Sequence, residues 1–277
     1  MRTSRLTSTQ WIQPIGAIAV AVVFLGVPFW LVVVTAGKSR AQALNPDLSL
    51  PTHWEFFQNL TQALSQGSMV AAFFGSLVIL VSAVLLVLLL GSFASWILAR
   101  RAGRGMAVLY AFSISGIILP PAIVTLVLVL KEIGLAGTIL GMIGVYVGMY
   151  SSTVIFFVTG FVRTIPAELE EAARIDGAGP FTVFTRIVLP LLQPTLATAT
   201  ILICLYVWND VFYALFVIGG RVNTLPLNLY QVASSGLYLN NWNLIFAYVI
   251  LMTLPLLVTF IAAQRRIISG ITSGAVK

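Results

Sequence analysis

Apolar residues in this chain come in long unbroken runs, not in alternation. Six runs are long enough for the roughly 20 residues that a helix needs to cross a bilayer. They cover 12–34, 69–98, 106–130, 138–162, 195–218 and 244–263. Continuous runs exclude the period-two pattern of a membrane β-barrel. Inside the runs the only charged side chain is Asp210. The polar positions between them are mostly short, apart from 35–68, 163–190 and 219–243. This pattern predicts an all-α membrane protein with six transmembrane helices, forming a single transmembrane domain over 1–277.

Composition supports the same reading. Of 277 residues, 8% are charged and 59% are hydrophobic, with a mean hydropathy of +1.02. Ordinary soluble domains carry about 25% charged residues, and a soluble fold of this size could not cover its surface with so few hydrated groups. One cysteine (Cys204) and one histidine (His53) exclude a disulfide framework and a Cys/His metal site. The net charge of +7 is read through topology. Eleven basic residues fall in one set of loops, and only Lys38, Arg40, Lys131 and Arg221 fall in the other. The positive-inside rule then places both termini in the cytoplasm. It also removes nucleic acid as a partner. The start of the chain, with Arg2, Arg5 and the small-residue site Ala41-Gln42-Ala43, resembles a signal peptide. Its apolar run of 23 residues exceeds the usual 7–15, so an uncleaved first span is expected.

Several local features carry two readings. Trp54, Phe56 and Phe57 suit an amphipathic stretch at the membrane interface, and Asn59-Leu60-Thr61 has the form of a glycosylation sequon. The segment 219–243 is either a plain connection or a docking surface. Gly134, Gly137, Gly141, Gly144 and Gly148 recur at spacings of 3, 4, 3 and 4 and read as a packing seam on the fourth span. Asp210, an intramembrane acid, is either part of a pathway or gate or a structural hydrogen-bonding group. Gly37-Lys38-Ser39 imitates the end of a phosphate-binding loop, but Val32 stands where an earlier glycine is required. No paired carboxylates or Ser/His/Asp set supports an intramembrane enzyme, and one intramembrane acid is too few for a proton-coupled transporter.

The most informative segment is 163–186, which holds seven of the 23 charges. Pro166 suits a first helical turn. Glu168, Glu170 and Glu171 complement a helix N-terminus, and Ala167, Ala172 and Ala173 favour helix. Gly177 suits a positive φ just past the helix end. A helix of about three turns is expected, with Leu169, Ala172, Ala173 and Asp176 on one face. It would be either a compact knob for a partner's cleft or a helix lying on the membrane.

The segment Glu171-Ala172-Ala173, then Gly177, then Ile187 and Leu189-Pro190, resembles the EAA loop of ABC importer permeases, with each signature position filled. The flanking Arg174-Ile175-Asp176-Gly177-Ala178, Trp208-Asn209-Asp210 and the tail around Gln264-Arg265-Arg266 resemble the carbohydrate-uptake, MalG-like branch. Gly75-Ser76 and Tyr150-Ser151-Ser152 depart from the branch's usual residues and point to no particular sugar.

The resemblance implies a type I importer (MetI-like) fold in a prokaryotic cytoplasmic (inner) membrane. It implies a sugar or oligosaccharide as solute, or else another small solute such as glycerol phosphate, a polyamine or an amino acid. Implied partners are a sister permease, two ATPase subunits, an extracytoplasmic solute-binding protein and membrane lipid. The chain would bind no cofactor and catalyse nothing, with ATP used by the partners. Within the coupling loop 163–190, the residues implied are Glu168, Glu171, Ala172, Ala173, Asp176, Gly177, Ile187, Leu189 and Pro190. Trp208, Asn209 and Asp210 are implied at a pathway or gate. Gln264, Arg265, Gly270 and Gly274 of the tail 264–277 are implied at the ATPase.

Overall fold

The computed structural model describes residues 8–65, 68–119, 121–234 and 241–275. Among the described residues every regular element is helical. The first is α1 (Ser8–Ala21), which passes through a π-turn at Val22–Gly26 into α2 (Val27–Ala36). A 3-10 turn at Gln42–Leu44 and α3 (Phe56–Ser65) follow. Then come α4 (Met69–Arg100), α5 (Arg104–Ser115), α6 (Ile123–Glu132), α7 (Ile139–Val162), α8 (Glu168–Ile175) and α9 (Pro180–Val183). A second π-turn, Phe184–Val188, leads into α10 (Leu189–Leu191), α11 (Gln193–Trp208), α12 (Phe212–Val217), α13 (Leu225–Ser234) and α14 (Trp242–Ala275). Both π-turns have a common cause. Each is followed by a helix whose second residue is proline, Pro28 or Pro190. Proline cannot donate the usual backbone hydrogen bond, and the preceding turn widens.

Among the described residues four helices are long and apolar enough to cross a membrane: Gly16–Ala36, Met69–Arg100, Ile139–Val162 and Trp242–Ile261. A fifth crossing is available if Pro180–Leu191 and Gln193–Trp208, bent by 75°, act as one span. Two expected spans differ from this picture. The run 106–130 is not one helix. It divides into α5 and α6, and Pro121, which cannot donate the backbone hydrogen bond of a helix interior, falls between them. The run 195–218 is interrupted at Asn209, Asp210 and Val211, between α11 and α12. Segment 219–243 is not plain loop either, since it contains the whole of α13.

The chain divides into two compact units, 1–69 with 229–254 and 70–228 with 255–277. In the first, the Lys38 side chain is buried and its ammonium donates to the Asp47 carboxylate and, at 3.0 Å, to the Asp47 carbonyl. Asn59 is also buried. Its amide donates to the carbonyls of Ala36 (2.8 Å) and Lys38 (2.9 Å), and it accepts from Asn243 at 2.9 Å. A side chain committed in this way offers no free amide to a glycan, and the sequon reading is withdrawn. Trp54 and Phe57 are exposed, consistent with an interfacial stretch, and the Trp54 ring lies where a Cβ on Gly37 would stand.

The second unit is built around α7. Met142, Tyr146, Val154, Val158 and Val162 are buried there with Ala199, Ile203 and Val207 of α11. On α4, Gly91 lets Val154 of α7 approach closely. The expected glycine seam is only partly helical. Gly134 and Gly137 precede α7 and hold turns with φ of +72° and +77°. Only Gly141, Gly144 and Gly148 lie on the helix, and Gly144 and Gly148 face open space.

Candidate functional site

The charged segment folds as α8, eight residues or about two turns, shorter than the three turns expected. Its end has a complete cap. Gly177 has φ +85° and donates to Arg174 O at 3.0 Å, and Ala178 N donates to Ala173 O at 2.9 Å. These two bonds satisfy carbonyls that a helix end otherwise leaves orphaned. Its N-terminal turn carries Glu168, Glu170 and Glu171, where negative charge suits the helix dipole. Glu168, Glu171, Ala172, Asp176 and Gly177 are exposed. So are the apolar side chains of Leu169 and Ile175, the latter at 86%. Ala173 instead turns inward and packs on the core.

Glu170 is the residue that sequence reasoning missed. It is 3% exposed. One carboxylate oxygen accepts from Arg100 Nε at 2.7 Å and the other from Trp96 Nε1 at 2.9 Å. Arg100 also donates to Ile165 O at 2.8 Å, just ahead of α8. The signal was Trp96 and Arg100 themselves, one helical turn apart at the end of α4. Phe184 completes the cluster, with its ring 5.2 Å from Phe93 and 5.6 Å from Trp96. Farther along, Ile187 is half-buried in the π-turn. Leu189 and Pro190 line an apolar groove of about 850 Å³ with Leu85, Leu88 and Leu89.

The second group expected from sequence gathers at the break after α11, but its members part company. Trp208 is buried, with its ring edge-on to Phe73 at 6.2 Å. Asn209 is exposed, and its amide donates back to Leu205 O at 2.8 Å. Asp210 is half-buried and engaged three times. It accepts from the Tyr146 hydroxyl at 2.8 Å and from the amides of Tyr213 and Ala214 at 3.1 Å each. Those amides belong to the first turn of α12, which otherwise has no acceptor there. The acid therefore restarts a helix inside an apolar run. Tyr150 extends the arrangement, stacked between Tyr146 (6.0 Å) and Tyr206 (5.7 Å, interplanar 7°). The α14 backbone continues through positions 264, 265, 270 and 274 to Ala275. The side chains of Gln264 and Arg265 and the last two residues lie outside the described residues. Among the described residues no group of three or more His, Cys, Asp or Glu side chains is placed to hold a metal ion.

Long apolar helices, a charged capped helix between them and a broken crossing define a multi-pass membrane protein. The family described as "Binding-protein-dependent transport system inner membrane component" matches residues 87–272. The chain belongs to that family and is an inner-membrane protein. Melibiose/raffinose/stachyose import permease protein MelC of Bacillus subtilis (strain 168) is 35% identical over 289 residues, covering 100% of both chains. Diacetylchitobiose uptake system permease protein NgcG of Streptomyces coelicolor (strain ATCC BAA-471 / A3(2) / M145) is 32% identical, over 90% of this chain and 83% of that one. A solved bacterial ABC transporter involved in the import of the acidic polysaccharide alginate has a chain that superposes with a TM-score of 0.79 at 19% identity. It covers 95% of this chain and 99% of that one. The superposition establishes the permease fold. The resemblance to ABC importer permeases carried by the EAA segment is met by the family match.

Proposed function

We propose that this chain is the transmembrane permease subunit of an ATP-driven importer for a sugar or oligosaccharide. It forms the pathway with a sister permease, crosses the membrane six times with both termini inside, and receives solute from an extracytoplasmic binding protein. Two ATPase subunits supply the energy, and the chain itself binds no cofactor. The observation that carries the reading is the exposed, glycine-capped face of α8, with Glu168, Glu171, Ala172, Asp176 and Gly177 on it. A short rigid knob of small and acidic side chains fits a cleft in an ATPase. Closure of the ATPase pair would move the knob and with it the pathway, which is alternating access driven through a rigid element. Gln264, Arg265, Gly270 and Gly274 belong to a second contact with the ATPases. Asn209 and the Tyr150–Tyr206 stack border the pathway, while Trp208 and Asp210 hold its wall. The names of the relatives, import or uptake permeases for oligosaccharides, support a sugar over other small solutes.

The test is to purify a tagged chain from its own membrane and to measure uptake of labelled sugars with the chain present and deleted. Co-purification of a second permease and an ATPase, with loss of one sugar's uptake on deletion, is the expected result. A chain that transports alone, or whose loss affects only amino acids or polyamines, overturns it.

A further inference from the structure

We infer that α4 is a transmission rod: it carries movement of α8 across the membrane to the segment before α13, through one joint at each end. The inference rests on the proposed coupling role of α8 and adds residues that the EAA resemblance does not name. At the inner end the joint is Glu170 with Arg100 and Trp96. Both carboxylate oxygens are taken by α4 donors at 2.7 and 2.9 Å, and the second Arg100 branch holds Ile165 O at 2.8 Å. A buried carboxylate with both oxygens bound to one helix, next to a guanidinium that also grips the approach to α8, leaves α8 little freedom to move without α4. Charge-assisted bonds of this kind are short and directional, and losing one partner leaves a charge buried alone. Phe184, 4% exposed, packs its ring on Trp96 at 5.6 Å and covers one side of the joint.

At the other end Ser76 is 6% exposed, and its hydroxyl accepts from Leu225 N at 2.8 Å, the first residue of α13. One residue earlier, Gly75 lies against the Asn223 carbonyl, where any Cβ would collide. The absence of a side chain at Gly75 thus lets α4 touch the 222–225 backbone directly. Between the joints α4 is one unbroken helix without internal proline. Ser76 and Arg100 are separated by about 36 Å at 1.5 Å per residue. A continuous helix is stiff over that length, so displacement at Arg100 reappears at Ser76. In the proposed topology the segment reached lies on the outer side, where the binding protein would arrive. The rod therefore provides a route between binding-protein arrival and ATPase closure, in both directions as linkage requires.

The test uses the complete importer in proteoliposomes, with sister permease, ATPases and binding protein. It reads ATP hydrolysis with and without binding protein, and solute carried per ATP. Ser76→Ala is the primary variant because it sits far from the ATPases. The expected result is unchanged ATPase co-purification, basal hydrolysis within about twofold, and stimulation by binding protein reduced by about fivefold to tenfold, the scale of one lost hydrogen bond. Glu170→Gln, which keeps an acceptor for Trp96 but loses the charge, is expected to reduce stimulation at least as far. The double variant should be no worse than the more severe single one, because both interrupt a single route. Full stimulation in Ser76→Ala, or independent additive losses in the double variant, overturns the rod. Failure of the wild-type chain to capture ATPase at all would instead overturn the proposed function. The two failures are thereby separated.

Discussion

Glu170 is buried against Trp96 and Arg100, whereas Glu171, the next residue, stands in solvent. A turn of 100° per residue is enough to give adjacent acids opposite environments. Both suit the helix N-terminus, and local sequence treats them alike. What separates them is a tertiary partner 70 residues away, which no local pattern encodes. Gly177 is the opposite case. Its position after a charged helix and before Gly179-Pro180 made a left-handed cap legible, and φ of +85° meets it. A side chain there costs about 1–2 kcal/mol of backbone strain. Gly177→Asp should therefore insert normally but lower uptake at least about tenfold, as measured by labelled-solute transport normalised to membrane-embedded chain. Normal transport would remove Gly177 from the coupling surface. The Lys38–Asp47 pair was hidden for the same reason as Glu170. The hydrogen bond from Lys38, with further bonds from Ser49, lowers the Asp47 carboxyl from its ordinary 3.8 to about 2. A depressed folded-state value means that the pair stabilises its loop fully above pH 4 and loses this as pH falls toward 2. Limited proteolysis of 39–55 should accelerate across that window, and Asp47→Asn should abolish the pH dependence.

At the scale of elements, long helices were legible and their interruptions were not. Runs 69–98 and 138–162 appear as α4 and α7 with shifts of one or two residues, because an apolar run has no competing structure in a bilayer. Run 106–130 broke where Gly116 and Pro121 disfavour continuation. Run 195–218 broke for a subtler reason. Asp210 competes for backbone donors: two of its three hydrogen bonds take the first-turn amides of α12, and the third ties it to Tyr146 of α7. The residues on both sides of Asn209-Asp210 are mainly apolar, so mean hydropathy alone passes over the break. Asp210→Ala should leave the α12 first-turn amides without an acceptor, at a cost of about 1–3 kcal/mol. Hydrogen exchange at 213–214 should then be faster by about tenfold or more, with Tyr146→Phe showing a smaller change because one of three bonds is lost. Unchanged protection in Asp210→Ala would show that α12 begins without its help.

At the scale of the whole molecule, the family was readable from a few dozen residues because the EAA segment couples chemistry to geometry. Small side chains, a left-handed glycine and a following Leu189-Pro190 constrain one another. The expected sidedness rests on eleven basic residues against four, a bias that acts during insertion and leaves no mark on packing. The tethering of segments far apart along the chain, such as Ser76 with Leu225, was beyond reach, since nothing local to either residue names the other.

The joints at both ends of α4 also set its permitted length. Adding one residue between Ser76 and Arg100 would rotate one end against the other by about 100° and lengthen the rod by about 1.5 Å. Glu170 and Leu225 could not both be met from the new register. Four added residues would nearly restore the facing but overshoot by about 6 Å. Segment 75–100 should thus accept exchanges of apolar side chains for one another, while its residue count is held constant by an anchor at each end.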